Sequence, residues 1–386
     1  MTSLGTLLSG AAFGYAVLAW AAVRLWRNSG ARPAHGRGAA TQPRPVPLTV
    51  LKPLCGAEPG LDDSLRSLCA QDYAGDVQIV FGVQHQADPA LAVLEGLKRD
   101  YPRLDLTVVI DQTRHGASAK VSNLINMMRA ARHDWLVLAD SDVTVPPGYL
   151  TAVTAPLADL TVGIVTCPYR GVSRPGLWSA LGALFINDWF IPSVRVAALF
   201  GSRAFAFGAT IALRRDALEA IGGFHAIADQ LADDYRLGEL TRRHGHRTVL
   251  SDVIVDTWVD ERSFRQLAQH GLRWLRTIRV VRPAGYAFSA VTFSLPVAVL
   301  GCALAGGTEI TVALLAATVA LRLMLHFTAH AAAAHRPPVW AIPLADSLGF
   351  ALWCAAFVTR EVQWRQGRYR VARDGSVQPI SQGHPS

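Results

Sequence analysis

Charged residues are scarce in this chain, at 17% of 386 residues against about 25% in typical soluble domains. Half of the residues (51%) are hydrophobic, which excludes an intrinsically disordered protein. The cysteines are few, odd in number and without a CxxC pair: Cys55, Cys69, Cys167, Cys302 and Cys354. A disulfide scaffold or a zinc ribbon is therefore not expected. The chain also lacks GxGxxG, Walker and GxSxG motifs and internal repeats.

The first 23 residues carry no charge, and Arg24 and Arg27 follow them. An apolar run of this length crosses a hydrocarbon core of about 30 Å. Because the positive charge follows the run, we predict a transmembrane helix at 1–27 and no cleaved signal peptide. The positive-inside rule then places the residues after Arg24 in the cytoplasm.

Residues 28–47 are rich in proline and arginine and predict a linker, whereas 48–282 have the patterning of a soluble domain. Three apolar stretches then predict C-terminal membrane segments within 283–360, of which at least two should span. Residues 361–386 form a basic tail. Three crossings would leave this tail outside, whereas its arginines favour the inside, and Pro296 is compatible with a re-entrant segment. The sequence leaves this conflict open.

Two charged residues, Arg322 and Asp346, interrupt the last two apolar stretches. They would lie at comparable depths on antiparallel helices, which predicts an ion pair, because either charge alone in lipid is costly. The alternative is that Arg322 reaches the interface and Asp346 lines a wet cavity. His326 and His330 lie one helical turn apart, but no acidic or cysteine ligand is nearby, so we do not predict a metal site there.

Short apolar runs alternate with helical patterns in the soluble part. Strands are predicted at 48–51, 77–83, 106–110 and 135–139. Helices are predicted at 61–70, 91–99 and 120–131. The alternation predicts an α/β fold with a parallel sheet, in which ligands bind beyond the carboxyl ends of the strands.

Residues 177–200 are apolar and aromatic, but Asn187 and Asp188 make them too polar for a spanning helix. We interpret them as an interfacial helix that holds the domain against the bilayer. Its anchors would be Trp178, Trp189 and Phe190. The alternative is an ordinary core helix.

Two acidic pairs are candidates for chemistry. Asp140 and Asp142 follow a predicted strand, where two carboxylates can hold a divalent cation or merely cap the next turn. Asp233 and Asp234 precede a helical segment and can act in catalysis or as an N-cap.

A third motif, His270-Gly-Leu-Arg273-Trp274, precedes a basic stretch and alone is typical of a membrane-facing helix end. Together, the three motifs resemble the ceramide glucosyltransferase family, whose pattern is a series of aspartates followed by (Q/R)xxRW. The segments KVSNLINMM, LVLADSDV, FGATIALRRDAL and LRWLRTIR are similar to its bacterial, hopanoid-biosynthesis-associated branch. The resemblance covers almost the whole chain. It implies a GT-A (Rossmann-like) nucleotide-sugar-binding domain flanked by transmembrane helices.

The resemblance also implies how the donor, a UDP-sugar, is held. Asp105 would be the first family aspartate, near the nucleotide, and Lys120 a cation beside the uridine or phosphate. Asp140 would be the second aspartate. Together with Asp142 it would bind Mg²⁺ or Mn²⁺.

The remaining implied roles concern the reaction. Asp234 would be the catalytic base, with Asp233 beside it. Arg273 and Trp274 would contact the diphosphate and the acceptor region. His270 stands where the family pattern has Gln or Arg.

The resemblance implies an inverting glycosyltransferase that moves a sugar to a lipid alcohol, most closely N-acetylglucosamine to the hopanoid bacteriohopanetetrol. Glucose transfer to ceramide is the near alternative, and a polysaccharide synthase or an inactive membrane scaffold are more distant ones. The expected location is multi-pass in the bacterial inner membrane, with the catalytic domain in the cytoplasm. The net charge of +8 lies in linkers and beside membrane segments, so we expect no nucleic-acid partner.

Overall fold

The computed structural model describes residues 1–30, 45–202, 204–331, 336–358, 361–364, 367–372 and 376–379. Most of the predicted linker at 28–47 lies outside the described residues, as does much of the predicted basic tail at 361–386. The N-terminal helix continues three residues beyond the predicted end at residue 27, to Gly30.

The strands of the described chain are β1 (Leu48–Pro53), β2 (Val77–Val83), β3 (Asp105–Ile110), β4 (Trp135–Ala139), β5 (Val143–Thr144), β6 (Val162–Thr166), β7 (Tyr169–Ser173), β8 (Thr210–Arg214), β9 (Arg247–Leu250), β10 (Val255–Val259), β11 (Glu361–Trp364), β12 (Gly367–Val371) and β13 (Val377–Pro379). The α-helices are α1 (Thr2–Gly30), α2 (Leu61–Cys69), α3 (Ala90–Asp100), α4 (Ala119–Met127), α5 (Tyr149–Thr154), α6 (Leu177–Leu184), α7 (Ile191–Leu199), α8 (Arg215–Ala220), α9 (Asp233–Arg243), α10 (Phe264–Val281), α11 (Pro283–Phe288), α12 (Ser294–Leu304), α13 (Glu309–Ala329) and α14 (Ala341–Ala355). A π-helical turn, Phe185–Phe190, joins α6 to α7.

Seven strands form the main sheet, in the order β3-β2-β1-β4-β8-β6-β9. Strands β3, β2, β1 and β4 are mutually parallel, whereas β8 is antiparallel to both β4 and β6. The predicted α/β class and the predicted parallel strands are confirmed. The carboxyl ends of the four parallel strands lie along one side of the sheet, which we call the carboxyl edge.

Helices cover both faces of this sheet because successive side chains of a strand point to opposite faces. Val50 and Val137 belong to the core that also contains Leu65 of α2 and Leu94 of α3. Their neighbours on β1 and β4 point to the other face, where a second core includes side chains of α4 and α9. Burial on both faces explains why these strands are almost continuously apolar.

A smaller sheet in the order β5-β10-β7 lies beside the carboxyl edge. Strand β5 starts directly after Asp142 and pairs with β10, which places Thr257 opposite Val143. Strand β10 also pairs in parallel with β7. Through these pairings, β7 and β10 from the second half of the soluble domain lie close to the acids that follow β4.

Among the described residues, helices α1 and α13 contain the two stretches long and apolar enough to cross a membrane, Thr2–Arg27 and Glu309–Ala329. These residues hold a third candidate crossing only if the pair Pro283–Thr292 and Ser294–Leu304, which bends by 73°, is one span. Helix α14 has 15 residues and covers about 22 Å, less than a core of about 30 Å. The prediction of at least two C-terminal crossings therefore holds only if the bent pair crosses the membrane in addition to α13.

Small residues let α1 approach α12 closely. A Cβ atom on Gly5 would lie 2.5 Å from the carbonyl oxygen of Gly301, and one on Gly301 would lie 2.6 Å from Ser9 Oγ. Close backbone approach through small residues is typical of helix pairs in membranes, where packing rather than water drives association. Larger side chains at these positions would separate the two helices.

The predicted interfacial helix at 177–200 is in fact interrupted by the π-helical turn and packs between the soluble domain and the membrane helices. Trp189 is buried, with its ring stacked between those of Phe185 and Phe293. It is therefore not the lipid anchor that we predicted. Trp178 and Phe190 are half-buried.

The predicted ion pair between Arg322 and Asp346 is confirmed. Arg322 donates from Nε to Asp346 Oδ2 at 2.8 Å and from Nη2 to Oδ1 at 2.6 Å. A third group, which the sequence did not predict, completes the arrangement: Asp188 Oδ2 lies 3.3 Å from Arg322 Nη1. The guanidinium group thus bridges two carboxylates inside the helix bundle.

We expect Asp346→Leu to lower the thermal unfolding midpoint of the purified protein in detergent. Removing one member of a buried ion pair costs about 3–5 kcal/mol when the other charge is left alone, and we expect a smaller loss here because Arg322 keeps its 3.3 Å contact with Asp188. The double variant R322L/D346L should recover part of this loss, since Asp188 keeps two histidine partners. Arg24→Gln, at an exposed position, is the control. A double variant that loses as much as both single variants added together would contradict the pairing.

Candidate active site

The acids predicted from the sequence meet at the carboxyl edge around one lysine. Asp140 follows β4, and its Oδ1 lies 2.5 Å from Lys120 Nζ near the start of α4. Asp233, the first residue of α9, has Oδ2 3.8 Å from the same nitrogen. The structure thus brings together three residues that span more than 100 positions of the chain.

Asp234 joins this group through Gly208. Its Oδ2 accepts a hydrogen bond from the Gly208 N–H at 2.8 Å, and its Oδ1 accepts one from Tyr235 N–H at 2.7 Å. A Cβ atom on Gly208 would lie 3.1 Å from Asp140 Oδ2, 3.2 Å from Lys120 Nζ and 3.4 Å from Asp234 Oδ2. The acids and the lysine therefore surround one small space that a side chain at 208 would fill.

Burial and neighbouring charges shift the pKa values of both Asp234 and Lys120. Burial, followed by the negative charge of Asp233, raises the pKa of Asp234 to about 6 against the opposing effects of Lys120 and the two N–H donors. Burial acts to lower the pKa of Lys120, but the carboxylates of Asp140 and Asp233 outweigh it and hold that pKa above its usual value. Near neutral pH the lysine is charged and Asp234 is close to its titration point, as a general base requires.

Asp142 lies deeper than Asp140. Its Oδ2 accepts a hydrogen bond from Thr257 Oγ1 at 2.5 Å, and burial, then the charge of Asp140, raises its pKa. The fully buried Lys52 donates to the Val143 carbonyl at 3.1 Å, and burial lowers its pKa to about 8.

The Asp140 and Asp142 pair fits a hard divalent cation, because such an ion would relieve the repulsion that raises the pKa of Asp142. Within the described part of the chain, no other His, Cys, Asp or Glu joins this pair to form three ligand atoms within 4.8 Å of one another. The described residues therefore offer two carboxylates here, and a bound phosphate group and water can supply further oxygen ligands.

A narrow apolar pocket lies between the soluble domain and the membrane helices. Its walls include Leu181, Phe185, Leu267, Trp274, Leu348 and Leu352. Two polar side chains also line it, Glu261 and His270, joined by a hydrogen bond of 2.6 Å between His270 Nδ1 and Glu261 Oε1. The second oxygen of Glu261 is buried without a hydrogen-bond partner among the described residues.

Trp274 connects this pocket to the acids. Its ring lies 6.0 Å from the ring of Tyr169, and burial and then the charges of Asp234 and Asp140 raise the pKa of Tyr169. Arg273 precedes Trp274 on α10 and is half-buried. Trp274, from the third sequence motif, therefore lines the pocket and also contacts Tyr169 on the side of the acids.

The structure does not bring Asp105 to this site, which contradicts its implied position near the nucleotide. Asp105 is the first residue of β3 and lies at the amino edge of the sheet, where it contacts Arg132. A strand of six residues separates it from the carboxyl edge by about 20 Å. Asp88 and Asp111 are the acids that follow β2 and β3 at the carboxyl edge.

Sequence reasoning missed several residues at the carboxyl edge and in the pocket, and two of them had a signal. Asp88 lies in the loop after β2, whereas Asp140 directly follows β4, and the strand-end rule applies to both loops. Gly208 precedes a strand within the segment FGATIALRRDAL, which the resemblance had already marked. Tyr169 and Glu261 gave no local signal because only the smaller sheet and α10 bring them to the site.

The fold resembles solved glycosyltransferases. The mannosyltransferase PcManGT from Pyrobaculum calidifontis, solved with GDP-Man and Mn²⁺, superposes with a TM-score of 0.56 at 23% identity. The match covers 92% of this chain and 97% of that chain. The fold is therefore the GT-A fold.

A model of glycosyl transferase family 21 matches residues 6–377, and the chain belongs to this family. Ceramide glucosyltransferase 1 from Caenorhabditis elegans is 24% identical over 53% of this chain and 44% of the relative. The ceramide glucosyltransferase of Komagataella phaffii is 32% identical over 28% of this chain and 23% of that protein. The matched part thus spans less than half of these curated relatives.

We expect the effect of Asp234→Asn on the stability of the ligand-free protein to be more favourable at pH 8 than at pH 5. The folded state holds the Asp234 proton up to about pH 6, whereas the unfolded chain releases it near 3.8, so wild-type stability falls as pH rises through this window. The change in the free energy of unfolding caused by the substitution should be about 1 kcal/mol more favourable at pH 8 than at pH 5. Denaturant unfolding in detergent at both pH values measures it. Asp134→Asn, at a side chain that is 86% exposed, is the control, and an equal effect of D234N at both pH values would contradict the raised pKa.

Proposed function

We propose that the protein is a membrane-bound inverting glycosyltransferase that moves a sugar from a UDP-sugar to a lipid alcohol. The observation that carries this proposal is the position of Asp234. It combines a pKa of about 6 with a place beside Lys120 and Asp140. Tyr169, whose pKa responds to the charge of Asp234, lies 6.0 Å from Trp274 in the wall of the apolar pocket. Membership of family 21 supports the same reaction class.

Donor binding would use the cationic and acidic residues of the carboxyl edge. Asp140 and Asp142 would hold Mg²⁺ or Mn²⁺, which when bound neutralises the diphosphate and makes the nucleotide a better leaving group. Lys120 would exchange part of its contact with Asp140 and Asp233 for a phosphate oxygen. Arg273 would contribute a second positive charge as the bond to the sugar breaks.

Asp234 would remove the proton from the acceptor hydroxyl as that oxygen attacks the anomeric carbon. A general base needs a pKa near the working pH, so that it is deprotonated and still able to accept a proton. Gly208 N–H and Tyr235 N–H fix both carboxylate oxygens, which limits the orientations that the base can adopt. Asp233 would tune this base through its negative charge.

The acceptor would approach through the apolar pocket. Its aliphatic and aromatic walls suit a hydrocarbon body, while Glu261 and His270 offer hydrogen bonds to hydroxyl groups at one position in the wall. Trp274 would separate the acceptor body from the acids and guide the reacting hydroxyl to Asp234. An inactive scaffold would have no use for a carboxylate with a pKa near neutrality beside such a pocket.

Two lipid alcohols are candidates for the acceptor. Similarity of the sequence segments to the hopanoid-associated branch favours transfer of N-acetylglucosamine to bacteriohopanetetrol. The curated relatives named ceramide glucosyltransferase favour glucose transfer to ceramide. A polysaccharide synthase is disfavoured, because its product needs a pore through the membrane helices, and the described residues contain two helices able to cross, or three if the bent pair is one span.

The proposed setting is a multi-pass protein of the bacterial inner membrane with its catalytic domain in the cytoplasm. Arg24 and Arg27 close the first candidate span on the side of the soluble domain, as the positive-inside rule requires for a cytoplasmic domain. The cytoplasm is also where nucleotide sugars and reduced cysteines are found together.

We expect Asp234→Asn to reduce turnover by about 10²–10⁴-fold while leaving UDP-sugar binding close to wild type, because the base acts on the acceptor and not on the donor. A UDP-release assay with lipid extract and Mn²⁺ or Mg²⁺ measures turnover, and calorimetry measures donor binding. Wild-type kcat/KM should fall as pH drops through about 6. Asp252→Asn, at an exposed site outside the cluster, is the control. Near-wild-type turnover of D234N would remove Asp234 from this role.

Mass spectrometry of lipids from cells with and without the gene should identify both substrates. The expected new species is a lipid heavier by one N-acetylhexosamine residue on a polyhydroxylated hopanoid. A hexose on ceramide would select the alternative pair of substrates. Unchanged lipids, together with a gene-dependent polysaccharide, would reject a lipid acceptor altogether.

A further inference from the structure

A second cluster of polar side chains lies far from the acids, inside the helix bundle. It consists of Asp188 on the π-helical turn and His326 and His330 on α13 or at its end. Their side chains are 0%, 1% and 2% exposed. One potential ligand atom from each residue lies within 4.8 Å of the others.

The sequence argued against a metal site at the two histidines because no acidic ligand is nearby, and the structure overturns that argument. His326 Nδ1 lies 2.9 Å from Asp188 Oδ2, and His330 Nε2 lies 2.8 Å from Asp188 Oδ1. The acid comes from a segment 138 positions earlier than His326. The π-helical turn is what directs it into the bundle.

The charges of the cluster do not balance. Asp188 and Asp346 contribute two carboxylates, whereas Arg322 contributes one guanidinium group, and all of these side chains are at most 9% exposed. Arg322 is held mainly by Asp346, since its contact with Asp188, at 3.3 Å, is longer than its two hydrogen bonds to Asp346. Asp188 is therefore left mainly to the two histidines, which supply no counter-charge while they are neutral, and a buried charge without one is costly in an apolar environment.

A second observation points to a ligand. His326 Nε2 is buried and has no hydrogen-bond partner among the described residues. In the ion-free protein the inner nitrogen, Nδ1, carries the proton, because it faces an acceptor-only carboxylate oxygen of Asp188. A metal ion would displace that proton and bind the Nδ1 lone pair of the neutral imidazole.

We propose that Asp188, His326 and His330 bind one divalent transition-metal ion, with zinc the ion that best suits two imidazole nitrogens and a carboxylate. Bonds of about 2.0–2.2 Å to zinc would place neighbouring ligand atoms about 3.3 Å apart. The observed separations of 2.8 and 2.9 Å need to increase by only a few tenths of an ångström. Water would occupy the fourth position.

The ion would connect the membrane helices to the pocket. Phe185 and Ile186, on the same π-helical turn as Asp188, line that pocket, and Phe190 lies 5.9 Å from the ring of Trp274. Fixing Asp188 to α13 would hold these aromatic side chains in place. The site is structural and separate from the cation of the carboxyl edge, and the proposal does not depend on the sugar or lipid used.

The test is the metal content of the full-length protein in detergent, loaded with zinc, dialysed against metal-free buffer and analysed by plasma mass spectrometry. We expect about one zinc ion per chain, retained in D140N/D142N, which lacks the other candidate site. Asp188→Asn and His330→Ala should lose it. His244→Ala, at an exposed histidine, is the matched control.

A second measurement needs no variant. Cobalt loaded in place of zinc should give the visible absorption of a four-coordinate ion with nitrogen and oxygen ligands. Wild-type protein that retains no zinc and shows no such spectrum would overturn the proposal and leave the cluster as a hydrogen-bonded network. Zinc that remains in both D188N and H330A would overturn it too, because the ion would then lie elsewhere.

Discussion

The arrangement at the carboxyl edge depends on the single ammonium group of Lys120. Asp140, Asp233 and Asp234 come from segments far apart in the chain, and their like charges would repel at these distances without a cation between them. The parallel sheet makes the meeting possible, because it delivers the end of β4 and the start of α4 to the same side. A diphosphate accompanied by a divalent cation suits such a site, since it brings both signs of charge and can exchange with the contacts already present.

The segment from α6 to α7 links this chemistry to the membrane. Side chains of its π-helical turn contact three different environments. Phe185 and Ile186 line the pocket, Trp189 belongs to the aromatic stack, and Asp188 lies in the buried ionic cluster. A regular helix would not present these four neighbours in this way. The turn is thus a connection between the catalytic domain and α13.

The sequence predicts those parts of the structure that follow from local pattern. The strands that form the parallel sheet, the strand-end position of Asp140, and the Arg322–Asp346 pair at matched helix depth are examples. Asp105 does not join the acidic cluster because it stands at the start of β3, as the predicted strand at 106–110 already indicates, whereas Asp140 follows the end of β4. The partners of Asp188 could not be predicted because they are 134 or more positions away in the chain.

Two features of the site lower the stability of the folded chain and have no structural benefit of their own. Burial of Asp234 beside Asp233 disfavours its ionised form, and Glu261 leaves one carboxylate oxygen without a partner inside an apolar wall. The cost at Asp234 is that of burying charge, since both of its oxygens accept hydrogen bonds, whereas Glu261 has an oxygen without a partner. Trp274 lines the pocket that holds Glu261, and its ring lies 6.0 Å from that of Tyr169. Groups that are costly in the free protein are explained by a ligand that interacts with them. A polar lipid with hydroxyl groups, bound with its body in the pocket, would pair with Glu261 and present its reacting oxygen to Asp234.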